Sequence, residues 1–317
     1  MAALASVQQA ITRYVLPTIL AFGNLGNLLT IAIYCQQRYR TNSCSIYLIA
    51  VSCFSLMGAN WAIVPTVYAL NHYDMVSNSI ILCRIRGYII HTSSMCFRYT
   101  LILVCADRYA FCSTRASIRA FSRPMIAYRS IVIVTIFWAT VSVHGRCGVY
   151  GLYGQIFSFY IAVCTGLIPI FSMITFGLLL LKNLPRSRLL VHPANSINQL
   201  NRRDVSFIKL VLIEIIIYII CTLTYPAMTI YIQVTSYMQS SKSVERRQIE
   251  SFINYITMSL LLYLNYNTTF YVHLMTSKTF RNEVKQLILR CMGKAERNFE
   301  TQQNIMHTGS TRQRRQL

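Results

Sequence analysis

Long apolar blocks, each close to the length of a membrane-spanning helix, constrain the fold of this 317-residue chain more than any other feature. The hydrocarbon core of a bilayer is about 30 Å thick, and a helix crosses it with about 20 residues. Because lipid offers no partners to backbone polar groups, each block is expected to be a helix. Seven such blocks are predicted: Tyr14–Cys35, Ser45–Leu70, Ile80–Cys105, Ile126–Val143, Ile156–Leu181, Phe207–Thr235 and Ile249–Thr276.

The composition favours the same class of protein. Only 12% of the residues are charged and 54% are hydrophobic, whereas an ordinary soluble domain carries about twice that charged fraction. The blocks are longer than barrel strands and do not alternate apolar with polar residues. The first block is too long for a cleavable signal peptide, so we expect a retained helix. The sequence therefore predicts an all-α membrane protein, a seven-transmembrane helix bundle.

The distribution of Lys and Arg predicts the orientation of these helices. With an external N-terminus, the cytoplasmic segments and adjoining helix ends hold 22 of the 30 basic residues and the external ones hold 7. This bias follows the positive-inside rule. The net charge of +21 is then explained by topology and by attraction to anionic lipid of the inner leaflet. No nucleic-acid partner is expected, because the basic residues form no recognisable binding fold.

A short motif, Asp107-Arg108-Tyr109, stands at the inner end of the third block. Seven predicted helices, an external N-terminus and this motif resemble a rhodopsin-like (class A) G-protein-coupled receptor, over about Tyr14 to Cys291. Further residues stand at the family's packing and kink positions: Asn27, Trp138, Pro169 and Pro226. The segment Ser277-Lys278-Thr279-Phe280-Arg281 also resembles invertebrate receptors of the FMRFamide-like neuropeptide group.

The resemblance implies four domain segments and two covalent features. The segments are a short extracellular N-terminus (1–13), the receptor domain (14–276), an amphipathic helix 8 (277–292) and a disordered cytoplasmic tail (293–317). A disulfide between Cys83 and Cys147 is implied at the external side, where the redox environment permits one. Palmitoylation of Cys291 is implied at the end of helix 8, and the alternative is an unmodified thiol.

The chain also departs from the family's pattern. No acid occurs in the second block, where Ser55 stands near the position of the family's aspartate, so a sodium ion is not expected there. The seventh block lacks the family's Asn-Pro pair, and Tyr271 or His273 is the candidate replacement for its tyrosine. The aromatic residue that the family carries before Pro226 is not matched letter for letter, which leaves Tyr218 or Tyr225 as candidates.

The resemblance implies a signalling mechanism centred on Arg108. In the family, this arginine keeps the inner ends of helices three and six together, and it faces a heterotrimeric G protein once helix six swings outward. Asp107 and Tyr109 complete the expected coupling site. The alternative is an arginine that only reaches lipid headgroups from the end of a helix.

The ligand site is expected in the external half of the helices. Its candidate residues are Arg86, His91, Tyr225, Thr229 and Gln233. Arginines at the start of the third block favour a ligand with a carboxylate, a phosphate or an exposed carbonyl. The third block has no aspartate at pocket depth, which argues against an amine, and the seventh has no lysine for retinal. A neuropeptide is the expected ligand.

Arg98 is expected near mid-depth of the third helix, where an unpaired charge costs several kcal/mol. Glu214 is the only acid deep in another block. We expect the two to be linked directly or through water, and the alternative is that Arg98 reaches carbonyls of the fourth or fifth helix.

Other classes of membrane protein also contain several apolar helices. An orphan seven-helix chemosensory receptor, a transporter and a channel stay open as alternatives, although the repeats and broken helices of many transporters are not apparent. The sequence has no catalytic set and no metal motif, so no enzyme, metal or cofactor is expected. The expected location is the plasma membrane, and arrestin is a further possible partner.

Overall fold

The computed structural model describes residues 2–143, 151–190, 202–235, 237, 242–291 and 293, and these contain helices and no strand. The expected disulfide partner Cys147 and the tail from residue 294 onward lie outside the described residues. The helices of 14 or more residues are α1 Leu16–Tyr34, α2 Ser43–Tyr68, α3 Ile80–Phe111, α4 Pro124–Ser142, α5 Ile168–Leu190, α6 Arg202–Thr222, α7 Leu262–Thr276 and α8 Lys278–Cys291.

Shorter helices extend four of these at the same end of the structure, which we call the N-terminal face because the chain begins there. Through π-helical turns, the helix Ala2–Ala10 continues into α1, Gly151–Ile161 into α5, and Val244–Tyr255 into α7. After Leu223, the helix Thr224–Val234 continues α6. The first helix therefore begins at Ala2 rather than near Tyr14, and the residues expected to form a short tail are helical.

Six helical stretches in the described part of the chain are long and apolar enough to cross a membrane. They are Leu4–Tyr34, Ser43–Tyr68, Ile80–Phe111, Pro124–Ser142, Gly154–Asn183 and Ile208–Val234. The seventh predicted block is helical but does not reach this hydropathy. The reason is that α7 carries buried polar side chains, among them Asn265, Asn267 and His273. These helices fit a multi-pass membrane protein.

Besides its apolar core, the structure exposes large apolar side chains and buries several charged ones. Ile133 on α4 and Phe171 on α5 are 66% and 65% exposed, whereas Asp107, Arg108 and Glu214 are buried. Water would penalise this arrangement, because large apolar side chains normally lie inside and charged ones outside. A lipid surround removes the penalty on the exposed apolar faces. The helices therefore enclose an apolar core that also holds polar and charged side chains, and within it α3 packs against α2, α4, α5 and α6.

Small and amide residues bring α1 close to its neighbours. A Cβ added at Gly23 would collide with the Asn267 side chain, so only glycine permits this approach of α1 to α7. The Asn27 amide donates to the Tyr266 carbonyl and to Asn267 Oδ1, each at 3.5 Å. Asn24 exchanges two hydrogen bonds, of 3.0 and 2.8 Å, with Asn60 of α2. Interhelical amide bonds of this kind fix helix packing in lipid.

The other expected packing residues also lie between helices. Trp138 of α4 is buried, with its ring 4.6 Å from that of Tyr99 on α3. Pro169 follows the π turn at the start of α5 and cannot donate to the Thr165 carbonyl, which instead accepts from the Tyr218 hydroxyl of α6 at 3.4 Å. Pro226 is buried just beyond the break at Leu223.

Helix α8 lies where the amphipathic eighth helix was expected, and it contacts α1 and α7. Its Phe280 is buried against the rings of Tyr34 and His273, and the Tyr34 hydroxyl is 2.7 Å from His273 Nδ1. Arg38 forms an ion pair of 3.1 Å with Glu283 of α8. Burial, with the adjacent Glu283, raises the pKa of Tyr39 to about 12, so its hydroxyl stays protonated beside that carboxylate. The α8 helix is therefore anchored by both apolar and charged contacts.

Candidate functional site

The motif Asp107-Arg108-Tyr109 ends α3 on the face opposite to the N-terminal face, which we call the motif face. Asp107 and Arg108 are 0% and 1% exposed. Arg108 Nε donates to Asp107 Oδ2 at 2.9 Å, and the two also form an ion pair through the terminal nitrogen. An arginine this deeply buried does not fit the alternative of a side chain that reaches lipid headgroups.

The start of α2 supplies the other partners of this charged pair. The Ser43 hydroxyl donates to Asp107 Oδ1 at 2.6 Å. Asn42 caps α2 by accepting from the Cys44 amide at 3.0 Å, and the same Oδ1 accepts from Arg108 at 3.4 Å. Ser122 lies 3.0 Å from the Ser43 hydroxyl. The motif is thus tied to the first turn of α2 through a cap that orders that helix.

The cap formed by Asn42 and the ring contact of Tyr109 were not predicted from the sequence. Asn42-Ser43 directly before an apolar run is a helix-capping signal, and it could have placed the start of α2 beside the motif. The half-buried Tyr109 faces a different neighbour, since its ring centroid is 6.2 Å from that of Phe176 on α5. The expected contact of Arg108 with helix six stays a prediction, because the side chains of residues 202–207 at the start of α6 lie outside the described part.

The expected direct pairing of Arg98 with Glu214 is wrong. Arg98 donates to the Ser94 carbonyl at 3.0 Å and to the Ser94 hydroxyl, one helical turn earlier on α3. Glu214 accepts from the Thr269 hydroxyl of α7 at 2.7 Å. No ion pair within 4.0 Å joins the two residues. Glu214 therefore connects α6 to α7, and Arg98 bonds to its own helix, α3, rather than to carbonyls of α4 or α5.

Arg86, an expected ligand residue, contacts α2 instead of projecting freely. Its Nε donates to the Trp61 carbonyl at 3.1 Å, and its terminal nitrogen donates to the Ala62 carbonyl and the Thr66 hydroxyl, each at 2.7 Å. Pro65 stands inside α2 and has no N–H to bond the carbonyl four residues before it, which is that of Trp61. Arg86 therefore supplies a donor to the carbonyl that Pro65 leaves without one, a role that was not predicted from the sequence.

The other expected ligand residues lie in the half of the structure near the N-terminal face. His91 Nε2 is 3.1 Å from the Tyr160 hydroxyl. Tyr225 is buried against Ile161 and Leu262. The Thr229 hydroxyl donates to the Tyr225 carbonyl at 3.0 Å, and Gln233 is half-buried one turn further. The structure brings His91 and Tyr225 to one region, whereas Thr229 bonds within its own helix.

A second charged cluster joins the N-terminal-face ends of the helices that extend α6 and α7. Lys242 is 5% exposed and forms an ion pair of 2.6 Å with Glu250. Glu250 also pairs with Arg246 at 2.9 Å and accepts from the Tyr231 hydroxyl at 2.7 Å. A cavity of about 580 Å³, lined by Met228, Tyr231 and Ile253 among others, lies beside this cluster. We call the charged cluster of Tyr231, Lys242, Arg246 and Glu250 the clasp.

The cysteines bear on the expected disulfide. Eight in the described part are free thiols, and Cys83 is not one of them. Because Cys147 lies outside the described residues, the Cys83–Cys147 disulfide stays a prediction. Cys291 is the last residue of α8, and nothing in the structure tests its palmitoylation. Within the described residues, no cluster of three or more His, Cys, Asp or Glu side chains could hold a metal ion.

Neither a model of a protein family nor a curated protein matches this chain.

Proposed function

We propose that the chain is a G-protein-coupled receptor of divergent rhodopsin-like type, with seven membrane-spanning helices and α8 as its eighth helix. One observation carries the proposal. Arg108 is buried at the motif-face end of α3 and is held by Asp107 and by the cap of α2. A guanidinium kept out of reach by neighbouring helices becomes available when those helices part.

Helix six supplies the movement in this proposal. It is interrupted at Leu223, and Pro226 removes the backbone bond to Thr222. Its buried residues Ile208, Val211 and Ile215 pack in the same apolar core as α3 residues. A hinge of this kind lets the motif-face half of α6 swing while the other half keeps its contacts. In the proposed mechanism, this swing admits the G protein to Arg108.

The ligand, in this proposal, is a neuropeptide that binds at the N-terminal face. It shifts the equilibrium only by the difference between its affinities for the open and the closed arrangement. The external N-terminus, the plasma membrane location, the Cys83–Cys147 disulfide, acylation of Cys291 and recruitment of arrestin belong to the same proposal. They rest on the basic-residue bias and the resemblance set out above.

The direct experiment is a screen for ligand-stimulated nucleotide exchange. Membranes from cells that express the chain with a heterotrimeric G protein are supplied with a neuropeptide panel, and bound non-hydrolysable GTP analogue is measured. We expect at least one peptide to stimulate exchange above that of membranes without the chain. Peptide-driven ion or solute flux with no exchange would instead favour the channel or transporter alternative.

A further inference from the structure

Arg98 is a buried cation whose described partners are all neutral. It is 2% exposed on α3. Its terminal nitrogen bonds to the carbonyl and the hydroxyl of Ser94, and its guanidinium lies 6.0 Å from the centre of the Tyr266 ring. The Tyr218 hydroxyl is also within hydrogen-bonding reach. Its Nε is buried and has no hydrogen-bond partner among the described residues.

No acid of the described part offsets this charge by an ion pair. The chain has nine acids, and those buried in the described helices bond to residues other than Arg98. Asp107 bonds to Ser43 and Arg108, and Glu283 bonds to Arg38. Glu214 bonds to Thr269 through Oε1, while its Oε2 has no partner among the described residues. A buried charge is costly unless it is paired. We expect Arg98 to lower the stability of the chain, and a residue kept at such a cost points to a role in binding.

Arg98 lies beneath several residues that were expected to contact the ligand. By its place in α3, it is about 15 Å along the helix axis from Arg108, on the side of the N-terminal face. His91 and Tyr225 are both near enough to interact electrostatically with its guanidinium. The Tyr263 ring is near it as well. Arg98 therefore lies beside a group of aromatic residues in the half of the structure where the ligand site was expected.

Irregular turns in two helices adjoin the same region. The π turn Ala162–Leu167 contains Thr165, whose hydroxyl is 3.7 Å from Met95 Sδ. The π turn Ile256–Leu261 ends next to Leu262, which packs against Tyr225. Single π turns within α-helices occur frequently at functional sites. This observation is independent of the charge on Arg98.

We propose that Arg98 binds the carboxylate of the ligand, with Tyr225 and His91 contacting an aromatic or apolar group next to it. A guanidinium presents paired donors that match the two oxygens of a carboxylate, and Nε is one of those donors. The inference rests on the proposed function, because it names the chemistry of the ligand at that same site. It assigns to Arg98 the role that the sequence suggested for Arg86.

Carboxylate binding is tested on the purified full-length chain in lipid nanodiscs by thermal unfolding. The probes are N-acetyl-phenylalanine and its uncharged amide, which differ only in the carboxylate. We expect the acid to raise the melting temperature of the wild type and the amide to leave it unchanged. Arg98→Gln removes the rise, and Arg98→Lys keeps part of it. Equal shifts with both probes, no shift with either, or a full rise in Arg98→Gln would overturn the proposal.

The cost of the unpaired charge is tested without any probe. We expect Arg98→Gln to melt at a higher temperature than the wild type, with the effects of Arg98→Gln and Glu214→Gln adding independently. If both single variants melt lower and the double variant recovers, Arg98 and Glu214 form one structural network and the proposal fails.

Neither measurement uses a G protein, so the two proposals fail separately. Loss of the carboxylate effect with intact nucleotide exchange overturns only the role of Arg98. Carboxylate binding without exchange in the peptide screen leaves the role of Arg98 standing and overturns the proposed function.

Discussion

Arg86 on α3 donates to the Trp61 carbonyl on α2 at 3.1 Å, which is the carbonyl that Pro65 leaves without a backbone donor. Tyr218 and Thr165 show the same relationship at Pro169. In lipid, a carbonyl without a donor is costly, so a proline inside a helix requires a partner from elsewhere. Side chains that were expected to bind ligand or to act as a switch here complete backbone hydrogen bonds.

Substitution of Arg86 tests this structural role. We expect Arg86→Ala to lower the free energy of unfolding by about 1–3 kcal/mol, since hydrogen bonds from a charged donor are lost. The measurement is thermal unfolding of the purified chain. Arg84→Ala is the matched control, because Arg84 lies on the same helix and is exposed. If Arg86→Ala leaves the melting temperature unchanged but abolishes the response to ligand, the structural role is contradicted and Arg86 belongs to the ligand site.

The contact between Gly166 and Pro226 limits what can replace that glycine. A Cβ at Gly166 would lie 2.6 Å from Pro226 Cγ, so the π turn before α5 and the helix that continues α6 would have to separate. We expect Gly166→Ala to destabilise the chain by about 1–3 kcal/mol, as overpacking does. Thermal unfolding measures the change.

Gly87→Ala is the control for the preceding prediction. Nothing lies within 4 Å of a Cβ at that position, and alanine is the better helix former by about 0.5–1 kcal/mol. The prediction for Gly166 is contradicted if Gly166→Ala and Gly87→Ala shift the melting temperature in the same direction and by the same amount.

Paired substitutions test whether Lys242 and Glu250 of the clasp are energetically coupled. Glu250→Gln leaves Lys242 buried without its carboxylate, and the variant should melt at a lower temperature than the wild type. Lys242→Met in the same chain removes the unpaired charge and should restore part of the loss. Equal, additive losses from the two single substitutions would show that the ion pair has no energetic coupling. Arg247→Met, at an exposed neighbouring position, is the control.

The sequence predicted the features that depend on local residue pattern, namely the helices and the position of the motif. Apolar blocks of spanning length became helices, and Asp107-Arg108-Tyr109 falls at the end of α3 because the block ends there. The seventh block is helical as predicted, but it is not among the stretches apolar enough to cross a membrane, because polar side chains such as Asn265 and Asn267 are buried within it. The sequence pattern could not predict contacts between helices. Arg98 and Glu214 carry opposite charges, but each bonds elsewhere, because the rotation of each helix about its axis decides which side chains meet.

The motif itself offers the most direct test of the central claim. Ligand-stimulated nucleotide exchange is measured in membranes that hold equal surface amounts of wild type, Arg108→Ala and, as a control for loss of a basic residue, Arg129→Ala at an exposed position of α4. The account predicts that Arg108→Ala loses stimulated exchange while Arg129→Ala keeps it. Stimulated exchange at the wild-type level in Arg108→Ala would contradict the claim that the signal leaves the chain through Arg108.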